Sequence, residues 1–323
     1  MERTNLGRTG LQVGVAGLGC GGSSRLGTRT DKSRAESVTL VRQALDLGVN
    51  LLDTAARYGT EEIVGEAIAA VPRDNVVIST KARLHEDGAE APHPPTALVE
   101  GLEDSLRRLG TDCIDVFHVH GVLPQHYEHA RQNVVPALLA EKDKGKFLHL
   151  GITEYASVDT GQTMLVRAVE DDCWEVIMVA FHMMNQKPRQ RIFAHTRRHG
   201  IGTLNMFAVR DIFSKPARLS DAMRALAADG RVPERFATID DPLGFLVHDG
   251  GATSVIDAAY RFARHEPGVD VVLTGTGDSD HLRANVASIL KPPLPAEDLA
   301  TLRELFGDLD GVGLDPPNPA SRS

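Results

Sequence analysis

Four side chains have the types and the spacing for acid–base chemistry at an oxygen atom. Asp53 and Tyr58 share the segment Asp53-Thr54-Ala55-Ala56-Arg57-Tyr58-Gly59, Lys81 follows the apolar run Val76–Thr80, and His120 closes Ile114–Val119. An isolated phenol ionises at a pH of about 10 and serves poorly as acid or base near neutrality. An ammonium beside it lowers that value, and a carboxylate holds the ammonium in place. Tyr58, Lys81 and Asp53 supply those parts if three strand ends converge, and His120 is then expected to hydrogen-bond and orient a substrate oxygen. Taken singly, each residue reads more readily as part of a routine ion pair, a packed loop tyrosine or a core histidine. The four types at successive strand ends favour function. His118 shares strand parity with His120 and is expected one layer deeper, as a hydrogen-bonded core residue.

Those strand ends belong to a repeating pattern. A small hairpin (Thr4–Leu6 and Leu11–Val13) opens the chain. Strand candidates follow at Val15–Leu18, Leu51–Asp53, Val76–Thr80, Ile114–Val119, Phe147–Ile152, Val176–Phe181, Thr203–Met206 and Val269–Thr274. Between them lie amphipathic stretches at Ser33–Leu47, Glu61–Ala70, Pro95–Leu109, Val134–Lys144, Thr160–Val169, Pro188–Arg198, Thr253–Arg264 and Asp280–Leu290. Gly48, Gly110 and Gly145 stand where helices would stop. Near-continuously apolar strands alternating with helices predict a parallel sheet covered by helices, and eight such units predict a closed (β/α)8 TIM barrel with an N-terminal β-hairpin. A doubly wound sheet is the competing arrangement; it too would place a ligand at the carboxyl ends of strands. Two stretches exceed ordinary loop length, Phe207 to Gly251 after the seventh strand and the tail from about Lys291. Segments of that kind carry binding surface or plug a barrel end. No composition break divides the chain, so residues 1–323 read as one domain.

Composition sets the class. The 323 residues are 42% apolar and 24% charged, with net charge −9, which argues against nucleic-acid binding through a basic face. No apolar run approaches the roughly 20 residues of a membrane span, and Met1-Glu2-Arg3-Thr4-Asn5 lacks the apolar stretch of a secretory signal. Cys20, Cys113 and Cys173 are too scattered for a disulfide framework or a zinc site, and the 13 histidines show no closing ligand spacing. A cytoplasmic protein without a metal is expected.

Gly17-Leu18-Gly19-Cys20-Gly21-Gly22 satisfies the G-x-G-x-x-G spacing after a strand. A Rossmann site also needs a helix to open at once and an acidic residue about 20 positions on. Here a largely polar stretch, Ser23 to Ser33, intervenes and the next strand ends only at Asp53. No Rossmann site is predicted; a glycine-rich loop near Gly21 that lets a ligand approach the backbone is.

The chain resembles the aldo-keto reductases from the opening hairpin to about Asn285. The matching blocks are Asp53-Thr54-Ala55-x-x-Tyr58-Gly59-x-x-Glu62, Ile78-Ser79-Thr80-Lys81, Ser105-Leu106-x-x-Leu109-x-x-Asp112-x-Ile114-Asp115 leading to His120, and Gly145-Lys146-Phe147-x-x-Leu150-Gly151-Ile152-Thr153. The resemblance implies a (β/α)8 barrel holding a nicotinamide cofactor across its top. It also implies Tyr58 as general acid/base tuned by Lys81 and Asp53, and His120 orienting the substrate. Val119-His120-Gly121 and Val176-Ile177-Met178…His182 look most like the L-galactose and related aldose 1-dehydrogenase branch, with His182 on the substrate side.

Departures from the family pattern fall on the cofactor. Family members place Asn after the Ser/Thr of the fifth strand and Gln in the sixth, both bonding the carboxamide. Here Thr153 is followed by Glu154, which accepts but does not donate when ionised, and the sixth-strand position is Met178. Met206, with Phe207 beside it, stands where an aromatic ring commonly stacks; a thioether can also cover a ring face. The adenine end aligns with Thr276, Gly277, Asp278 and Asn285. Asp278 and Asp280 stand where NADP-preferring members carry Lys or Arg, which predicts NAD over NADP because a carboxylate repels a 2′-phosphate. Alternatively both aspartates cap the last helix, with Asp280 at the natural N-terminal position. Arg210 and Lys215 are candidates for a pyrophosphate or 2′-phosphate contact, though a solvated role ranks slightly higher.

The leading expectation is an NAD(P)-dependent oxidoreductase acting on a small aldose, aldehyde or alcohol, the partner being that small molecule. The alternatives are an NADPH-dependent carbonyl reductase, a dehydratase or epimerase with tightly held nucleotide, and a non-catalytic nucleotide sensor. The sequence leaves the substrate, the direction and the oligomeric state open.

Overall fold

A computed structural model of the chain describes residues 1–314. β1 (Arg3–Asn5) and β2 (Gln12–Gly14) form an antiparallel hairpin. Eight parallel strands then close a barrel: β3 (Ala16–Gly19), β4 (Leu51–Asp53), β5 (Val77–Arg83), β6 (Ile114–Val122), β7 (Phe147–Glu154), β8 (Val176–Ala180), β9 (Gly202–Met206) and β10 (Val271–Thr274). They pair in chain order and β10 returns to β3, so the doubly wound alternative is excluded.

The covering helices are α1 (Arg34–Asp46), α2 (Glu61–Ile68) and α3 (Pro95–Leu109), then a short α4 (Tyr127–His129) running through a π-turn into α5 (Val135–Asp143). Next come α6 (Thr163–Ala168), α7 (Ala194–His199), α8 (Asp211–Ser214), α9 (Pro216–Ala228), α10 (Val255–Arg264), α11 (Ser279–Ile289) and α12 (Ala296–Phe306). Their ends follow local chemistry. Ser33 and Glu36 make a reciprocal capping box at the start of α1, and Gly110, at φ +66°, ends α3 in the left-handed conformation. The helix expected from Thr160 begins only at Thr163, because the Asp159 carboxylate accepts from the N–H groups of Thr163 and Met164.

Alternation along the strands builds the barrel interior in layers. Leu51, Val77, Val116, Val176, Leu204 and Val271 pack as an apolar floor, closed from below by Leu6 and Val13 of the hairpin segment. Two residues further along, the same inward parity brings Asp53, Ser79 and His118, and two further still Lys81 and His120. Strands β5, β6 and β7 run past the ends of their apolar runs, carried in β5 and β6 by inward polar residues and in β7 by Thr153, which accepts from Gly121 N–H. Both long segments contain helices among the described residues, and the tail's last residues, 315–323, lie outside them. The stretch after β9 holds α8 and α9, and the C-terminal tail holds α12 before Leu314 packs against Ala156 and Ala180 at the barrel mouth.

The hairpin is tied to the barrel by Asp270, whose Oδ2 accepts from Gly7 N–H at 3.2 Å and Thr203 N–H at 2.9 Å. Burial outweighs those bonds and pushes its pKa up to about 6. A carboxyl whose folded pKa lies above its unfolded value stabilises the fold at low pH and loses that contribution as pH rises through the folded value. Asp270→Asn keeps an accepting oxygen and removes the charge. Its unfolding free energy relative to wild type should grow by roughly 1–3 kcal/mol between a pH of about 4 and one of about 7. Urea unfolding followed by the fluorescence of the buried, sole tryptophan Trp174 measures this; a difference independent of pH would contradict it.

Candidate active site

Lys81 lies wholly inside the barrel, 1% exposed, with its Nζ 2.5 Å from Asp53 Oδ1. Ser79 donates to the same carboxylate oxygen at 2.7 Å, and its Oγ lies 3.1 Å from His118 Nε2. A hydroxyl has one proton, so Ser79 accepts from His118, which fixes the ring as the Nε2–H tautomer. His118 is buried as expected, and its ring fits because residue 151 is glycine: a Cβ there would lie 2.2 Å from Nδ1. Ser79 escaped the sequence reading, although its place two residues before Lys81 puts it on the inward face.

Tyr58 enters from the short 3-10 turn after β4, and its ring stands edge-on to His120 with centroids 5.9 Å apart. Lys81 Nζ lies 5.5 Å from the Tyr58 ring centre. Gly21 makes this possible, since a Cβ at that position would come within 2.7 Å of the phenol ring. The close backbone approach expected of the glycine-rich loop is made by the protein's own tyrosine.

The electrostatics refine the expected tuning. Burial raises the Tyr58 pKa; the Lys81 ammonium pulls it down and the Asp53 charge pushes it up, leaving it above the ordinary value. Burial alone would neutralise Lys81, but Asp53 and the phenol hold its pKa above the ordinary value and keep it charged. His120 is neutral, held well below its usual range first by burial and then by Lys81 and Arg83.

A cavity of about 1170 Å³ opens beside this group. Asp53, Tyr58 and Gly21 line one part of it, Met178, Met206 and Phe207 another, and Thr276, Gly277, Asp278 and Asn285 a third. Phe207 holds φ +70°, unusual for a bulky residue, with the Arg210 guanidinium 4.0 Å from its ring centre. Arg210 and Lys215 both line the cavity, as does Lys32, which the sequence reading passed over.

Three expected site residues lie elsewhere. Thr153 Oγ1 accepts from Gly121 N–H at 2.7 Å, between β7 and the end of β6, and is not among the cavity lining. Glu154, on the opposite parity, accepts from Ala180 N–H at 2.6 Å and ties β7 to β8. Burial pushes its pKa to about 8, so it is a carboxylic acid near neutrality. His182 is fully buried against Phe213 and the segment around Gly313; its Nδ1 accepts from Met184 N–H, and burial lowers its pKa to about 3. At the far end Asp278, not Asp280, is the N-cap of α11, accepting from Asp280 and His281 N–H at 2.9 Å each. Asp280 is exposed and pairs with Arg283.

A closed parallel barrel with acid–base residues and a long cleft at the carboxyl ends of its strands defines an enzyme of the (β/α)8 class. The chain belongs to the aldo/keto reductase family, whose model matches residues 17–306, and it is accordingly an oxidoreductase of that family. It is 24% identical over 324 residues to L-galactose dehydrogenase of Arabidopsis thaliana, covering 97% of this chain and 95% of that one. It is 28% identical over 335 residues to aldo-keto reductase YhdN of Bacillus subtilis, covering 99% and 97%. The holo form of aldo-keto reductase AKR11C1 from Bacillus halodurans superposes with a TM-score of 0.68 over 95% of this chain and 96% of that one, at 24% identity.

Of the two charges beside Tyr58, the ammonium acts more strongly. Replacing both, as Asp53→Asn with Lys81→Met so that no buried charge is stranded, should move Tyr58 ionisation to higher pH. The near-ultraviolet phenolate absorbance, taken as the difference against the same variant carrying Tyr58→Phe, reads this. A shift to lower pH would show that Asp53 dominates.

Proposed function

We propose that the protein is a nicotinamide-dependent oxidoreductase that interconverts a small aldose, aldehyde or ketone and its alcohol or lactone, with Tyr58 as general acid/base. The observation carrying this reading is the buried Lys81–Asp53 pair set against the Tyr58 ring and the neutral His120. The likeness to L-galactose dehydrogenase supports the aldose side of it.

The cleft suits an extended dinucleotide. Glycine backbone at Gly19, Gly21, Gly275 and Gly277 lines it, and Lys32, Arg210, Lys215 and Arg218 bring positive charge to its wall. Met178, Met206 and Phe207 would pack the nicotinamide, and Gly277, Asp278 and Asn285 would meet the adenosine end. When bound, the nicotinamide supplies or accepts the hydride. The protein's own part is the proton. In reduction the protonated Tyr58 donates to the carbonyl oxygen as negative charge develops there, and Lys81 stabilises the phenolate left behind. In oxidation the phenolate accepts the hydroxyl proton, so that direction gains from rising pH. His120, being neutral, orients the substrate oxygen by hydrogen bonding without competing for the proton.

Two outcomes test this. Tyr58→Phe should lower kcat by about 100- to 10,000-fold, the usual share of a general acid, while NADH fluorescence titration still shows binding; undiminished turnover would remove Tyr58 from the mechanism. For the nucleotide we propose NAD, because the Asp278 carboxylate, held ionised by the His281 and Asp280 N–H groups, lines the cleft. Asp278→Asn retains a capping oxygen and removes the charge. Its NADPH affinity relative to NADH should rise by about tenfold, equivalent to one charge interaction of about 1.4 kcal/mol. An unchanged ratio would place the 2′-position away from Asp278.

A further inference from the structure

Three donors, from the turn after β4, the end of β5 and the segment after β7, converge on one carboxylate at the barrel mouth. Arg57 Nη2 lies 2.6 Å from Asp87 Oδ2, Arg83 Nη2 2.6 Å from Oδ1, and the Tyr155 hydroxyl donates to Oδ1 at 3.3 Å. None of these contacts enters the proton chemistry above, yet all flank it. Arg57 immediately precedes Tyr58. Arg83 ends β5 two residues beyond Lys81, and its register partner on β6 is His120, so it shares their inward parity. Both guanidiniums act on His120, and Arg57 also acts on Tyr58.

The donors and the acceptor are held very differently. Arg83 stands on a barrel strand with its side chain 16% exposed, whereas Asp87 hangs from a loop tip whose residues Glu86 to Ala91 are all exposed. Asp87 itself is 33% exposed, and Gly88 beside it takes φ +79°. Glu86, the other acid on Arg83, is 66% exposed and shared with His93. The largely covered Arg83 guanidinium needs an anion, and the one it shares with the more exposed Arg57 hangs from a solvent-facing loop tip. Two planar forks and a phenol closing on one carboxylate make a geometry that recognises carboxylates in general.

We propose that Arg57, Arg83 and Tyr155 form a carboxylate subsite beside the Tyr58 end of the cleft, occupied by Asp87 as a built-in counter-ion when no substrate is present. The substrate class is then a carbonyl or hydroxyl compound that also carries a carboxylate, such as a sugar acid or a semialdehyde acid. Its carboxylate exchanges for that of Asp87 without any bond being made or broken. This rests on the oxidoreductase reading for the reaction, but not for the binding.

The test pairs kinetics with binding. Succinic semialdehyde should be reduced with kcat/KM at least about tenfold above that of butanal. In Arg83→Met and Arg57→Met that ratio should fall toward one through KM, and in Asp87→Asn the KM for succinic semialdehyde should drop several-fold. Calorimetric titration with succinate should show Asp87→Asn binding about tenfold more tightly than wild type, and the Arg57→Met/Arg83→Met protein not binding. Butanal reduced as well as succinic semialdehyde, or succinate bound no better by Asp87→Asn, overturns the subsite while leaving the oxidoreductase reading standing. Neither aldehyde reduced with either nucleotide, alongside the expected succinate titrations, overturns that reading and keeps the subsite.

Discussion

An ammonium enclosed in a protein barrel is tenable only with a partner, and the Lys81–Asp53 pair is the interaction around which this barrel is arranged. Ser79 donates to Asp53 and accepts from His118, and the glycine at 151 makes room for the His118 ring. Outside the barrel, Glu61 accepts from Thr80 and pairs with Arg108, fixing β5 between α2 and α3 on either side of Lys81. Buried ion pairs add little net stability compared with apolar packing. The arrangement is better understood through what it does for Tyr58, which stands beside the pair and lines the cleft.

At Tyr58 two forces oppose each other. Enclosure against the Gly21 backbone favours the neutral phenol, and the nearby ammonium favours the phenolate. The phenol remains the resting form, as the proposed proton donor would require, and the Lys81 ammonium would limit the cost of a phenolate. The same enclosure neutralises His120, so one positive charge serves the phenol while the imidazole acts only by hydrogen bonding.

Much of this was legible in the sequence because period and parity carry it. The eight strand candidates all fall on barrel strands; Asp53 ends β4, while Lys81 and His120 lie two residues short of the ends of β5 and β6. Strand ends were harder to read, since apolarity stops at Thr80 and Ile152 while the backbone ladder continues through inward polar residues. Parity also explains the displaced residues: Glu154 points away from the barrel interior that Thr153 faces, and bonds Ala180 instead. His182 is sealed by Phe213 and Gly313, segments remote in sequence, and nothing local announces such a contact. The sign of the Tyr58 shift depends on enclosure, a property of the assembled barrel that residue types alone do not carry.

The barrel mouth is electrically divided. The tops of β4, β5 and β6 present Asp53, Lys81, Arg83 and His120, while the tops of β8 and β9 present Met178, Ala180, Met206 and Phe207, with Leu314 packed against them. An aromatic ring is accommodated by the second wall and a developing negative oxygen by the first, because the charges there are fixed before any reaction begins. Under the proposed reading, a polarised mouth of this kind would direct a substrate's reacting oxygen toward β5 and β6 and its reacting carbon toward β8 and β9. Adjacent strands supply each wall, and the barrel closure fixes the distance between them.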